Sequence, residues 1–170
     1  MWSTMTGEQT LALTTHSQTG VELVDPRGQR FAAAITAGLL VFALILGPVA
    51  GLGILVVQTL AFAAGSVLGL RYHPWGWVYR VLVLPRLGAP KELEDARPPR
   101  FAQTVGLVFG VTGLIGAVAG LPALFYLAVG FALIAALLNS VFNLCLGCEF
   151  YLLAKRLLGR IETRPGLSRR

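Results

Sequence analysis

Two long uncharged stretches divide the chain. Residues 31–70 and 101–148 contain no Asp, Glu, Lys or Arg, while the 14 basic and 8 acidic residues all lie in the three remaining segments. The stretches run for forty and forty-eight residues. One crossing of a ~30 Å hydrocarbon layer needs roughly 20 apolar residues, so each stretch predicts two membrane-spanning helices. Helix-breaking and turn-forming residues interrupt both near the middle: Gly47, Pro48, Gly51 and Gly53 in the first, Gly120 and Pro122 in the second. The predicted crossings are residues 31–46, 52–70, 101–119 and 123–144. The expected fold is an all-α integral membrane protein with four transmembrane helices.

Charge sets the orientation. Neither predicted hairpin tip carries a charge; the basic residues flank the other ends, with Arg27 and Arg30 before the first helix, six between Arg71 and Arg100, and six from Lys155 onward. Short basic flanks stay cytoplasmic, so both termini and the central loop are expected to face the cytoplasm. The first 30 residues lack the basic start, apolar core and small-residue cleavage site of a secretory signal, leaving the first crossing as the expected uncleaved signal. A composition of 55% hydrophobic and 13% charged residues leaves no room for a separate soluble catalytic domain. The net charge of +6 belongs to membrane flanks rather than to a basic binding face, so no nucleic-acid partner is expected. The expected divisions are a polar tail over 1–24, a first hairpin over 25–70, an interfacial loop over 71–94, a second hairpin over 95–158 and a basic tail over 159–170.

The two halves echo one another. Asp25-Pro-Arg27-Gly-Gln-Arg30-Phe31-Ala32 recurs seventy residues later as Asp95-Ala-Arg97-Pro-Pro-Arg100-Phe101-Ala102, and Ser66-Val67 with Leu70-Arg71 echoes Ser140-Val141 with Leu144-Cys145. This predicts two tandem duplicated hairpins related by a pseudo-twofold axis along the membrane normal. Gly106, Gly110, Gly113, Ala117 and Gly120 form a small-residue stripe, briefly repeated by Ala61, Gly65 and Gly69. Such stripes let helix backbones approach closely in lipid. Packing within the chain is the expected use, with a homodimer contact as the alternative.

Between the hairpins, Tyr72-His73-Pro74-Trp75-Gly76-Trp77-Val78-Tyr79-Arg80 reads as an aromatic belt at headgroup level, followed by an apolar run too short to cross. His73 reads first as an interfacial hydrogen-bonding residue, and only second as a titrating or metal-binding one.

One short motif points to chemistry. Asn143-Leu144-Cys145-Leu146-Gly147-Cys148-Glu149 holds both cysteines of the chain, spaced so that the sulfurs can meet. Three readings stand together: a dithiol cycling with its disulfide, half of a tetrahedral metal site, and inert packing. The last crossing, continued as a regular helix at 1.5 Å per residue, carries Cys145 ~33 Å from Ala123. That puts the pair near a helix C-terminus, where the dipole disfavours a thiolate. Activation would then fall to cations such as Arg71 or Arg80, with Glu149 as a further tuning group. Asn139 and Asn143 are expected to bond across helices, away from Cys148, with Gln58, Thr59 and Ser66 as partners. The symmetric pairs Arg27 with Arg30 and Arg97 with Arg100 are expected to anchor topology, with anion binding as the alternative. No cofactor or complete metal-ligand set is apparent.

The doubled Asp-x-Arg and Arg-Phe-Ala entries, His73-Pro-Trp75 and the Cys145-Leu-Gly-Cys148 end resemble the bacterial membrane family called domain of unknown function 4395, over nearly all of residues 24–158. The resemblance implies a four-helix protein of the bacterial cytoplasmic membrane, and the strong preference for Arg over Lys suits a GC-rich bacterium. It implies no established activity. Members are frequent in actinobacteria and are encoded near thioredoxin-like and sulfurtransferase proteins, which implies a thiol role and such a partner for Cys145 and Cys148. The leading expectation is therefore a membrane thiol-disulfide or sulfur-relay component. The alternative is a small transporter or scaffold without thiol chemistry.

Overall fold

A computed structural model describes residues 23–88, 93–142 and 144–162, the last five for their backbone alone. His16, Lys91 and Asn143 lie outside these residues. The described chain is helical apart from two short strands.

Strand β1 (Leu23–Val24) leads into helix α1 (Pro26–Ala50). Asp25 caps α1 by accepting the Arg27 backbone N–H at 2.9 Å, and Pro26 follows as a first helical residue that has no N–H to lose. Near its far end α1 is broken at Gly47, whose φ of 75° only glycine adopts readily, just before Pro48. Helix α2 (Leu52–Ala63) returns and runs on through a π-helical turn at Ala64–Leu68 until Gly69, with φ 105°. A 3-10 turn (Leu70–Tyr72), α3 (Pro74–Val78), a second π-helical turn (Tyr79–Val83) and α4 (Leu84–Leu87) form the central segment. Strand β2 (Glu94–Asp95) pairs antiparallel with β1, Val24 opposite Glu94. Asp95 then accepts the Arg97 N–H at 2.9 Å as α5 (Arg97–Val118) begins. A turn at Gly120, φ 67°, leads to α6 (Pro122–Phe142), and α7 (Leu146–Glu162) closes the described chain.

Helices α1, α5 and α6 are long and apolar enough to cross a membrane. The α2 stretch, Leu52–Leu68, is shorter than the expected 52–70: at ~1.5 Å per residue it spans roughly 26 Å, because Gly69 ends it. Both hairpin breaks fall where glycine and proline predict them. Large apolar side chains point outward, among them Ile45 at 75% exposure, Phe42 at 60% and Leu60 at 64%. Helices apolar on every side suit a lipid environment.

The bundle is a ring in which α1 packs against α2 and α6, and α5 against α2 and α6. Its packed core, Leu40, Leu55, Phe125, Val129 and Ala132, lies toward the hairpin tips. Helix α5 reaches it through a face without side chains: a Cβ on Gly110 would stand 2.6 Å from Thr59 Oγ1, one on Gly113 3.1 Å from Leu55 and Val129, and one on Gly116 2.6 Å from the Phe125 backbone nitrogen. The expected stripe is thus an internal contact, with Gly116 joining it and Gly120 serving the turn instead.

A side chain on this face must push α5 away. Gly110→Leu is expected to destabilise the protein by about 2 kcal/mol or more, whereas Gly130→Ala, where a Cβ meets nothing within 4 Å, should be neutral or stabilising by roughly 0.5–1 kcal/mol. Thermal unfolding in detergent compares the two; equal melting temperatures would remove the close-approach argument.

Candidate functional site

Helix α6 ends at Phe142 and α7 starts at Leu146, so Cys145 occupies a break and Cys148 the first turn of α7, rather than one continuous helix. Cys145 immediately precedes α7. Its Sγ accepts the Cys148 N–H at 3.4 Å, and its carbonyl accepts the Glu149 N–H at 3.0 Å. That is an N-cap, with sulfur where a hydroxyl usually stands. The expectation that the pair sits near a helix C-terminus is corrected: the positive end of the α7 dipole faces Cys145, and dipole and N–H both favour an anionic sulfur there. The Cα atoms of Cys145 and Cys148 are 5.1 Å apart and the two sulfurs form a disulfide. Gly147, between them, lies flat on α5, since a Cβ there would stand 2.6 Å from Ala102 Cα. The rings of Phe101 and Tyr151, centroids 6.0 Å apart, hold the start of α7 to α5.

The first half carries a matching arrangement. His73 precedes α3 and accepts the Gly76 N–H through Nδ1 at 3.4 Å, again three residues on. Phe31 and Tyr79, centroids 5.7 Å apart, hold the central segment to α1, and the Tyr79 hydroxyl donates to Asp25 at 2.9 Å. Trp75 turns inward and donates to buried Gln58 at 3.1 Å, and Gln58 in turn donates to Thr36 at 3.2 Å. Tyr72 and Trp77 alone keep the exposed, belt-like position. The His73 ring is 3% exposed; burial, and then the charge of Arg80, push its pKa from 6.5 down to about 4. It is therefore neutral at physiological pH. Because Nδ1 accepts, the proton sits on Nε2, and Nε2 has no partner among the described residues.

Behind both caps lies a cavity of about 540 Å³, walled largely by apolar side chains of α1, α5 and α6. Its polar lining includes Gln29, Thr36, His73, Gln103, Asn139 and Cys145. Gln29 Nε2 and Gln103 Oε1, like His73 Nε2, are buried without a hydrogen-bond partner among the described residues. His73 and Gln103 meet over Gly65, where a Cβ would stand 2.9 Å from the imidazole and 3.0 Å from the Gln103 side chain. A smaller adjoining space of about 130 Å³ is lined by Gln29, Asn139, Cys145, Cys148 and Glu149. Among the described residues no group of three His, Cys, Asp or Glu could hold a metal, so the cysteines remain half a ligand set.

The expected site residues separate into two groups. Arg71 and Arg80 line the large cavity with Cys145, and Glu149 lines the small one with both cysteines. The four entry arginines line neither. Arg30 donates to the Ser140 carbonyl at 3.4 Å, and Arg100 to the Ser66 and Val67 carbonyls at 2.8 Å, so each closes the end of a helix in the opposite half. Arg97 sits 3.9 Å from Asp95, and the Arg27 backbone is held by Asp25. Asn139, expected to face away from the thiols, shares both cavities with Cys145; the break after Phe142 invalidates the regular-helix projection. Sequence reasoning missed Gln29 and Gln103. The signal was present, since Gln103 is a strongly polar side chain inside an uncharged, membrane-length block.

A family described as a domain of unknown function (DUF4395) matches residues 24–156. The chain belongs to this family. The matched span runs from β1 into α7 and takes in both Asp-x-Arg entries, His73 and the cysteine pair. Neither curated proteins nor solved structures give a match.

The buried histidine makes stability depend on pH. The unfolded chain protonates His73 near 6.5 and the folded one near 4, so the unfolded state binds the proton first as pH falls. The neutral ring's contribution is fully present above pH 6.5 and is lost as pH drops toward 4, by up to about 3 kcal/mol. Melting curves in detergent across this range should show the decline in wild type and a flatter profile in His73→Gln; an unchanged slope in the variant would assign it to other groups.

Proposed function

We propose that this protein is a membrane thiol-disulfide component in which Cys145 and Cys148 exchange electrons, or sulfane sulfur, with a thioredoxin-like or sulfurtransferase partner at the cytoplasmic face. The observation that carries this reading is the placement of Cys145 at the α7 N-cap, its sulfur taking the Cys148 N–H. A thiolate attacks a partner disulfide, and the second cysteine resolves the mixed intermediate. A helix N-terminus is where such a nucleophile is favoured. Cys145 and Cys148 are only partly buried, as a protein partner requires.

The membrane frame of this reading is four crossings, with α2 as the short one, and both termini and the central segment on the basic, cytoplasmic side. It is also a duplication. Asp25 and Asp95 each accept a backbone N–H two residues on at the start of a long helix, Arg30 and Arg100 reach corresponding carbonyls across the halves, and Phe31 with Tyr79 matches Phe101 with Tyr151. Val24 and Glu94, seventy residues apart, pair directly with each other, as residues on a pseudo-twofold axis would. Counted back from Tyr79 and Tyr151, His73 is the counterpart of Cys145, two residues out of the register in which Leu70-Arg71 matches Leu144-Cys145. The alternative of a small transporter or scaffold drew on the glycine stripe, whose contacts are internal.

Cys145→Ser and Cys148→Ser should each abolish disulfide exchange with a thioredoxin-like dithiol while leaving membrane insertion intact; wild-type exchange in the double variant would overturn the reading. Maleimide labelling of inverted vesicles and intact cells, before and after reduction, tests the side: the thiols should react after reduction in inverted vesicles, and labelling confined to intact cells would reverse the topology.

A further inference from the structure

The two equivalent helix caps face one cavity from opposite halves, and they carry different chemistry: a redox-capable sulfur at Cys145 and an imidazole at His73. The space between them is about 540 Å³, within the range of small-molecule sites. Three buried polar atoms there lack partners: Nε2 of His73 and Nε2 of Gln29, both donors, and Oε1 of Gln103, an acceptor. An unsatisfied buried polar atom is costly in an apolar surrounding, more so in lipid. Each of the three is covered by its neighbours, so a ligand reaches it when the Gln29 and Gln103 amides or the imidazole turn toward the cavity; two acceptors would then satisfy the donors, and a gained hydroxyl would satisfy Gln103.

The rest of the lining narrows the ligand class. Apolar side chains dominate, and Phe131 and Ile134 are at the same time exposed on the outer face of α6, so the cavity reaches the surface that lipid covers. Phe109 and Phe131 stack with centroids 6.1 Å apart along this wall. A flat, lipid-soluble ring fits such a wall. The adjoining dithiol adds the decisive chemistry, because forming a disulfide releases two electrons and two protons that some acceptor must take.

We propose that this cavity binds a lipid-soluble quinone, which oxidises the Cys145 and Cys148 thiols. The quinone carbonyls accept from His73 and Gln29, and a hydroxyl of the reduced ring donates to Gln103. In the step itself the two S–H bonds break and one S–S bond forms; the two electrons and two protons convert the quinone's carbonyls to the hydroxyls of a hydroquinone. A partner dithiol then reduces the Cys145–Cys148 disulfide by exchange and leaves as its own disulfide. The net reaction moves two electrons from a soluble dithiol into the membrane. This assignment rests on the thiol reading above, which a separate assay tests.

The experiment uses the full-length protein in detergent, reduced and freed of reductant, with decylubiquinone as the probe. Wild type should convert one quinone to quinol per disulfide formed, followed by quinone absorbance and by loss of maleimide labelling. Gln103→Leu should weaken quinone binding by about three- to tenfold, the worth of one hydrogen bond, with its melting temperature recorded to separate this from misfolding. Gly65→Ala, which displaces both the imidazole and the Gln103 side chain, provides a second variant with the same expected direction. Cys145→Ser should still bind quinone but reduce none. Absence of quinone binding by wild type, or equal competition by palmitate, overturns the assignment while exchange with a thioredoxin-like dithiol leaves the thiol reading standing. Quinone binding with thiols inert to both quinone and dithiol overturns the electron transfer and the thiol reading together.

Discussion

The bare face of α5 is the contact on which the other features depend. In lipid, helices gain little from burying apolar side chains against one another, so association relies on close packing and on satisfied polar groups. Gly110, Gly113 and Gly116 let the α5 backbone settle onto Thr59, Leu55, Val129 and the start of α6. That approach fills the tip half of the bundle. It also fixes where filling stops. Toward the basic end a cavity lies between α1, α5 and α6 around Gln29, Thr36 and Gln103, and the central segment and α7 contribute the rest of its lining. A tight half and an open half therefore come from one packing arrangement, and the open half carries every unpartnered buried polar side chain found among the described residues.

Polar pairing follows the same division. Near the wall of the bundle, Trp75, Gln58 and Thr36 satisfy one another in a chain that ties the central segment to α2 and α1. Arg30 and Arg100 end helices of the opposite half by donating to their last carbonyls, which secures the halves to each other without placing a charge in the cavity. Arginine suits this task, as its planar fork can reach two carbonyls and stays charged. The entry arginines thus have structural work consistent with topology anchoring, and the anion-binding alternative gains no geometric support from them.

Much of this fold was legible because its breaks are written in glycine and proline. Gly47 with Pro48, and Gly120 before Pro122, mark both tips, and the charge-free blocks mark the helices around them. The break that matters for chemistry has no such mark. Nothing in Asn143-Leu144-Cys145-Leu146 forbids a helix, so extending α6 by its ideal rise carried the cysteines to the wrong end of a helix. The internal echo held a better signal, since it aligns Leu144 with Leu70, directly after Gly69, where the first hairpin's second helix ends. Periodicity describes what a segment can form. Comparison with the segment it echoes shows where it stops.

The same comparison brings out one local device that carries different chemistry in the two places. Both halves end a helix, turn, and cap the next helix with a side chain that accepts an N–H three residues on. Imidazole nitrogen and the weaker acceptor sulfur both fill the cap position, and both residues line the same cavity. The cavity is accordingly lined by a sulfur at one cap and a neutral N–H at the other. The donor at His73 stays neutral because burial and Arg80 oppose its protonation, so it can donate without placing a charge in an apolar site. Unlike groups at two similar caps give the cavity two chemically different ends.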